Sequence, residues 1–320
     1  MPLRLLGHKS TLSFKMIYSD LSSTQSEADN MTAQDSNQPP EIDGPPPLPL
    51  DLHEHKLQIF LNWGFILLTS CIVPLVLYPS LHWGANLSIK ISLSVASAIL
   101  GATTLFSLGM RTWRLFKPTS NCRPLKSESR WNFDFFHWNY LLGFVLVTII
   151  IVIGMVEDPP SVRMNSLPPS ILLVQVGFTL VITGILAKLG VRQPFKVSSL
   201  PAGEVFRPGI LVIIEDVVAV DGGRDKAYRA ALLTRYAASV RFQRLIEALN
   251  WFWGLGGCLM GILLIAVIST VRDQTFAFGL GWVIPWIWAG VWAVITTYWV
   301  KSALREEKRT WSEGQWRSAV

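Results

Sequence analysis

The sequence predicts an all-α, six-transmembrane-helix bundle with a cytosolic amphipathic helix and a disordered N-terminal tail, and three observations carry that prediction. Half of the 320 residues are hydrophobic and only 16% are charged, against the roughly 25% of soluble domains. Six apolar stretches approach the roughly 20 residues a helix needs to cross a hydrocarbon core about 30 Å thick. Arginines and lysines gather between those stretches overwhelmingly on one side. A net charge of +6 and a pI near 9.3 do not point to nucleic acid, because the chain is too poor in charged residues for a nucleic-acid-binding surface. Three cysteines exclude a disulfide-built secreted scaffold.

Residues 1–55 come first, with three basic and eight acidic side chains; the rest of the chain is net +11. Ser, Thr, Asp and Gln, followed by Pro39, Pro40, Pro45, Pro46, Pro47 and Pro49, offer too little apolar surface to offset the entropy of ordering. The proline run favours an extended polyproline conformation, read as a stiff linker in preference to a ligand for a proline-motif-binding partner. Arg4, Lys9 and Lys15 are too few to make a mitochondrial transit peptide, and no continuous apolar core marks a secretory signal. An endomembrane or plasma-membrane setting is therefore expected over a mitochondrial one.

Residues 56–189 hold the first four spans, at 58–78, 89–109, 140–156 and 171–189; residues 251–300 hold the last two, at 252–271 and 278–299. Helices are expected because lipid cannot satisfy backbone polar groups, and the runs lack the alternation of barrel strands. Twenty-two lysines and arginines lie on one side of this arrangement and only Lys90, Arg163 and Arg272 on the other. By the positive-inside rule both termini, the 190–250 loop and the basic 301–320 tail are cytosolic. Asn86-Leu87-Ser88 then lies lumenal, close to the bilayer, and Asn30-Met31-Thr32 cytosolic, so neither is expected to carry a glycan.

The span centres contain no Asp, Glu, Lys, Arg or His. That argues against a proton relay or a helix-bound haem, both of which need ionisable groups at depth. Span five instead carries Gly254, Gly257 and Gly261, the last two forming a G-x-x-x-G. Small residues at this spacing let helices approach closely, as intramolecular packing in preference to a homo-oligomer face. Gly279, Gly281 and Pro285 interrupt span six, read as a kink rather than a transporter's broken helix. Trp282, Trp286 and Trp292 on that span are read as lipid-facing bulk in preference to a pocket for a lipid or isoprenoid.

The 190–250 loop is the one extramembrane stretch large enough to hold chemistry. Pro208-Gly209 opens a block that Gly222-Gly223 closes, and β-branched residues between them flank Glu215 and Asp216. Either a short strand pair or a segment dipping into the interface fits. Glu215, Asp216 and Asp221 are the candidate catalytic or metal-ligating residues, since carboxylates bind Mg²⁺ and through it a diphosphate. The preferred reading is structural: Arg207 or another cytosolic arginine pairs with these acids and pins the loop. From Lys226 to Leu249, Leu232, Tyr236, Val240, Leu245, Ile246 and Leu249 form an apolar stripe, with Arg229, Arg235, Arg241 and Arg244 outside it. This basic amphipathic helix is expected flat on the anionic leaflet, so those four arginines are the candidate membrane-surface residues and the lipid bilayer the principal partner.

The block FRPGILVIIEDVVAVDGGR, the YRAALLTRYAASVRFQRLI helix and the WFWGLG opening of span five resemble a family of uncharacterised fungal integral membrane proteins, over residues of about 55–305. The resemblance implies a fungal endomembrane protein and transfers no catalytic residue. The expected function is an accessory or organising membrane protein, with secondary metabolism as one setting, without cofactor or nucleic-acid partner. An enzyme acting on an isoprenoid or other lipid, with Mg²⁺ on the three acids, and a small-molecule transporter are the alternatives.

Overall fold

The structure, a computed structural model, describes residues 44–48, 64, 68–117, 119–126, 131 and 133–312. Eight α-helices run through this part: α1 (Val73–Pro79), α2 (Ile89–Phe116), α3 (Phe135–Val156), α4 (Pro168–Lys188), α5 (Gly209–Val220), α6 (Lys226–Ala238), α7 (Val240–Thr270) and α8 (Gln274–Ser312). Among the described residues there is no strand, only isolated bridges between Arg192 and Val205 and between Val197 and Leu200.

Five helices, α2, α3, α4, α7 and α8, are long and apolar enough to span a membrane, rather than six. The expected first span begins outside the described residues. Its described end is π-helical over Leu68–Ile72 and Ser80–Gly84, with the short α1 between them holding Pro74 and Pro79. The acidic tail also lies outside the described residues, except for 44–48. There Leu48 packs against an apolar cluster that includes Leu211, Tyr228 and Leu232.

Helix ends follow local chemistry. Ser88, Asp134, Asp225 and Ser239 cap α2, α3, α6 and α7 by accepting hydrogen bonds from first-turn backbone N–H groups. Pro168 and Pro169 open α4, where a missing N–H costs nothing. α8 continues through Pro285 for 39 residues, about 58 Å at 1.5 Å per residue. Span six is therefore one helix, and the broken-helix argument for a transporter loses its footing.

The five long helices turn apolar side chains outward. Phe106, Ile149, Leu259, Ile262 and Val294 are all more than 48% exposed, as lipid-facing residues are. Inside the bundle small residues make the contacts. A Cβ on Gly177 would lie 2.7 Å from the Cys258 nitrogen, and one on Gly261 would lie 2.7 Å from the Ser170 carbonyl oxygen. Gly257 and Gly261 thus close α7 onto α4 within one chain, and both are buried. Trp282 is also buried, beside Tyr78 and Phe278, with its indole N–H donating to the Asn165 carbonyl at 3.1 Å. Trp292 stacks on Phe252 at 4.7 Å. Trp282 thus faces protein, and Trp292 is half-buried against Phe252.

On the arginine-rich side the packing changes character. α5, α6 and the first turns of α7 form a water-soluble type of core from Leu211, Tyr228, Leu232, Phe242, Leu245, Ile246 and Leu249. Burying each large side chain there stabilises by about 1.5–3 kcal/mol. The expected strand pair or interfacial dip over 209–220 is instead the helix α5. Its buried residues Leu211, Val212, Glu215, Asp216, Ala219 and Val220 recur every three or four positions, the helical period. The expected continuous 226–249 helix breaks at Ser239, which leaves helical geometry to cap α7.

Candidate functional site

α5 carries both central acids of the predicted block. Its N-terminus is fixed by a close approach: Gly209 N–H donates to Thr183 Oγ1 at 3.1 Å, and a Cβ at 209 would sit 2.3 Å from that oxygen. Ile210 N–H donates to the Asn250 side chain at 3.1 Å. At the other end Gly223, with φ of +65°, takes the left-handed conformation that turns the chain toward α6. Pro-Gly and Gly-Gly therefore punctuate this segment as expected, around a helix.

Glu215 and Asp216 are both wholly buried, and so is Arg229 from α6. Arg229 Nη1 donates to Glu215 Oε1 at 2.8 Å and to Asp216 Oδ1 at 2.6 Å. Its Nη2 and Nε donate to the Cys122 carbonyl at 3.1 and 3.3 Å. Ser198 Oγ donates to Asp216 Oδ2 at 2.6 Å, Phe136 N–H donates to the same oxygen at 3.1 Å, and Ser199 Oγ donates to Glu215 Oε1.

Asp221, the third predicted acid, belongs to a neighbouring pair. It accepts from Arg111 Nη1 at the end of α2, while Arg111 Nη2 donates to Asp134 at 2.7 Å. Asp134 also lies 3.6 Å from Arg229 Nη2. Arg111 and Asp134 complete a network of four acids and two arginines that joins α2, α3, α5 and α6. Both were missed in the sequence, although Asp134 stands as a helix cap immediately before an apolar run.

Four carboxylates against two guanidiniums leave an excess of negative charge in a dry site, and the titration follows. Desolvation first, then Asp216, pushes the Glu215 carboxyl up to about 7. Desolvation, then Asp134, pushes Asp216 up to about 6. Glu215 Oε2 has no hydrogen-bond partner among the described residues, so half of that carboxyl has nothing to balance its charge. Burial also raises Asp134 and Asp221. It acts to lower Arg229, but Asp216 and Glu215 together outweigh it and hold the guanidinium charged.

The pinning arginines are Arg229 and Arg111. Arg207 instead pairs with Glu204 at 3.4 Å and lies over the Tyr236 ring at 5.3 Å. The expectation of four outward arginines is corrected for two. Arg229 is wholly buried; Arg235 is 9% exposed, pairs with Glu307 of α8 and lies over Phe242. Both turn inward because each meets an acid supplied by a helix distant in sequence or across a turn. Arg241 and Arg244 remain exposed, Arg241 facing Glu306 at 3.6 Å. Among the described residues no three His, Cys, Asp or Glu side chains are grouped to hold a metal ion. The three predicted acids divide between two arginines and do not converge on one point.

A family model described as a domain of unknown function, DUF8766, matches residues 30–311, and the chain belongs to that family. No curated protein and no solved structure matches it.

Proposed function

We propose that this membrane protein of the DUF8766 family is a non-enzymatic accessory protein of a fungal endomembrane, with both termini and the 190–250 region in the cytosol. In this reading α5 and α6 form a rigid platform on the spans, where lipid or partner proteins are organised. The observation that carries it is the burial of Glu215, Asp216 and Arg229 at 0% exposure, every one engaged with a neighbouring helix or loop. Acids so enclosed are tied into the fold and do not face a substrate. The similarity of the 206–224 block to fungal membrane proteins supports the endomembrane setting, and the one-sided arginines support the topology.

The test uses Glu215→Gln, which keeps the shape and the bond from Ser199, expressed in the producing cell in place of the native chain. The expected outcome is an unchanged lipid and metabolite profile at unchanged protein abundance. Disappearance of a product at normal abundance would assign catalysis to the acid and overturn the reading.

A further inference from the structure

A cavity of about 540 Å³ opens on the arginine-rich side, between the end of α4, the 204–208 loop and the α6–α7 junction. It lies within the 300–1,000 Å³ range of small-ligand sites. Its lining combines three cations, Lys188, Arg207 and Arg244, with two acids, Glu204 and Glu247. The acids engage their cations loosely: Lys188 meets Glu247 at 3.3 Å with both side chains more than 40% exposed, and Arg207 meets Glu204 at 3.4 Å. Such solvent-exposed pairs contribute little and give way readily to a better anion. Arg244 is exposed without an ion pair among the described residues, and Arg207 Nη1 is buried without a hydrogen-bond partner among them.

Position selects the class of anion. Lys188 is the last residue of a span, and its ammonium lies 5.0 Å from the Trp251 ring centre, a pairing typical of the headgroup level. Phe206, Pro208 and Val240 supply an apolar wall beside the charges. A doubly charged phosphate ester at the edge of a bilayer matches the excess of three cations over two acids in this lining.

We propose that this cavity binds the phosphate of an anionic membrane phospholipid, held by Lys188, Arg207 and Arg244. The inference deepens the platform reading by naming what the platform holds, and the two fail separately. Loss of a product in Glu215→Gln would remove the accessory role without touching lipid binding, which is measured on purified protein.

The experiment is native mass spectrometry of the full chain in detergent, titrated with phosphatidic acid or phosphatidylcholine of equal chain length. Glycerol 3-phosphate serves as the soluble competitor. Phosphatidic acid is expected to bind about tenfold more tightly, the worth of one charge-assisted contact. Lys188→Gln with Arg244→Gln is expected to abolish that preference. Both residues are exposed, so folding is preserved, and an unchanged melting midpoint in detergent checks it. Arg305→Gln with Lys308→Gln removes the same charge from α8 outside the cavity and is expected to keep the preference. Equal binding of the two lipids, or equal loss in the α8 control, would overturn the site. Displacement by glycerol 3-phosphate at the lipid's own concentration would overturn its assignment to a lipid.

Discussion

Replacing Arg229 with Gln removes the cation that, among the described residues, Glu215 and Asp216 share, both acids being 0% exposed in the parent chain. Two charge-assisted bonds, at 2.8 and 2.6 Å, disappear, and a buried pair broken on one side costs about 3–5 kcal/mol. At about 2–4 °C per kcal/mol for a body of this size, the melting midpoint should fall by about 10 °C at pH 8. The fall should be smaller at pH 5.5. The carboxyls already titrate near 7 and 6 beside the arginine, so near pH 5.5 they become neutral at little cost once it is gone, whereas at pH 8 each unit of forced protonation costs about 1.4 kcal/mol. Intrinsic fluorescence of the 14 tryptophans in detergent reads the transition. A fall of under about 2 °C at pH 8, or a larger fall at pH 5.5 than at pH 8, would refute the view that this network pins α5 to α6.

The parent chain itself should lose stability as pH rises. Glu215 and Asp216 titrate higher when folded than their ordinary 4.5 and 3.8, so the folded state holds more protons between about pH 4 and 7. Stability is then greatest near the bottom of that window, declines through it and is flat above; melts in a pH series read this, and Glu215→Gln should flatten the upper part. Gly261→Leu should weaken the α4–α7 contact by several kcal/mol because its Cβ alone would stand 2.7 Å from Ser170 O, whereas Gly101→Leu, with open space around it, should melt like the parent; a similar midpoint for both would contradict the packing described. Protease added to sealed vesicles with the cytosolic face outward should cleave within 190–250, and glycosidase should leave the chain's mobility unchanged. Protection of that region, or a glycan on Asn30, would reverse the topology.

Much of the frame is legible from local sequence. Apolar runs mark α3, α4 and α7, and caps such as Ser88 and Ser239 stand next to the helices they start. The run over 209–220 is different. Its β-branched residues fit a strand pair or an interfacial segment, and in a short run with no exposed position the sequence alone does not separate helix from strand. Only the neighbours on both of its faces, Tyr228 and Leu232 on one and Val197 and Leu200 on the other, explain why a run so apolar around Glu215 and Asp216 is a helix. The basic stripe misled for a related reason. Arg229 and Arg235 lie off the apolar face, as surface residues do, yet each is matched by an acid presented from another helix.

The sequence by itself determined a chain of long apolar helices fit for a multi-pass membrane protein, with lysines and arginines strongly biased to the connectors between them, because hydropathy and charge asymmetry add up over contiguous residues. The tertiary structure alone decided which charge meets which. Arg111 reaches Asp221 across 110 residues of chain, and Arg235 reaches Glu307 across 72. Coulomb attraction and desolvation depend on separation and burial in space, and neither quantity is written along the chain.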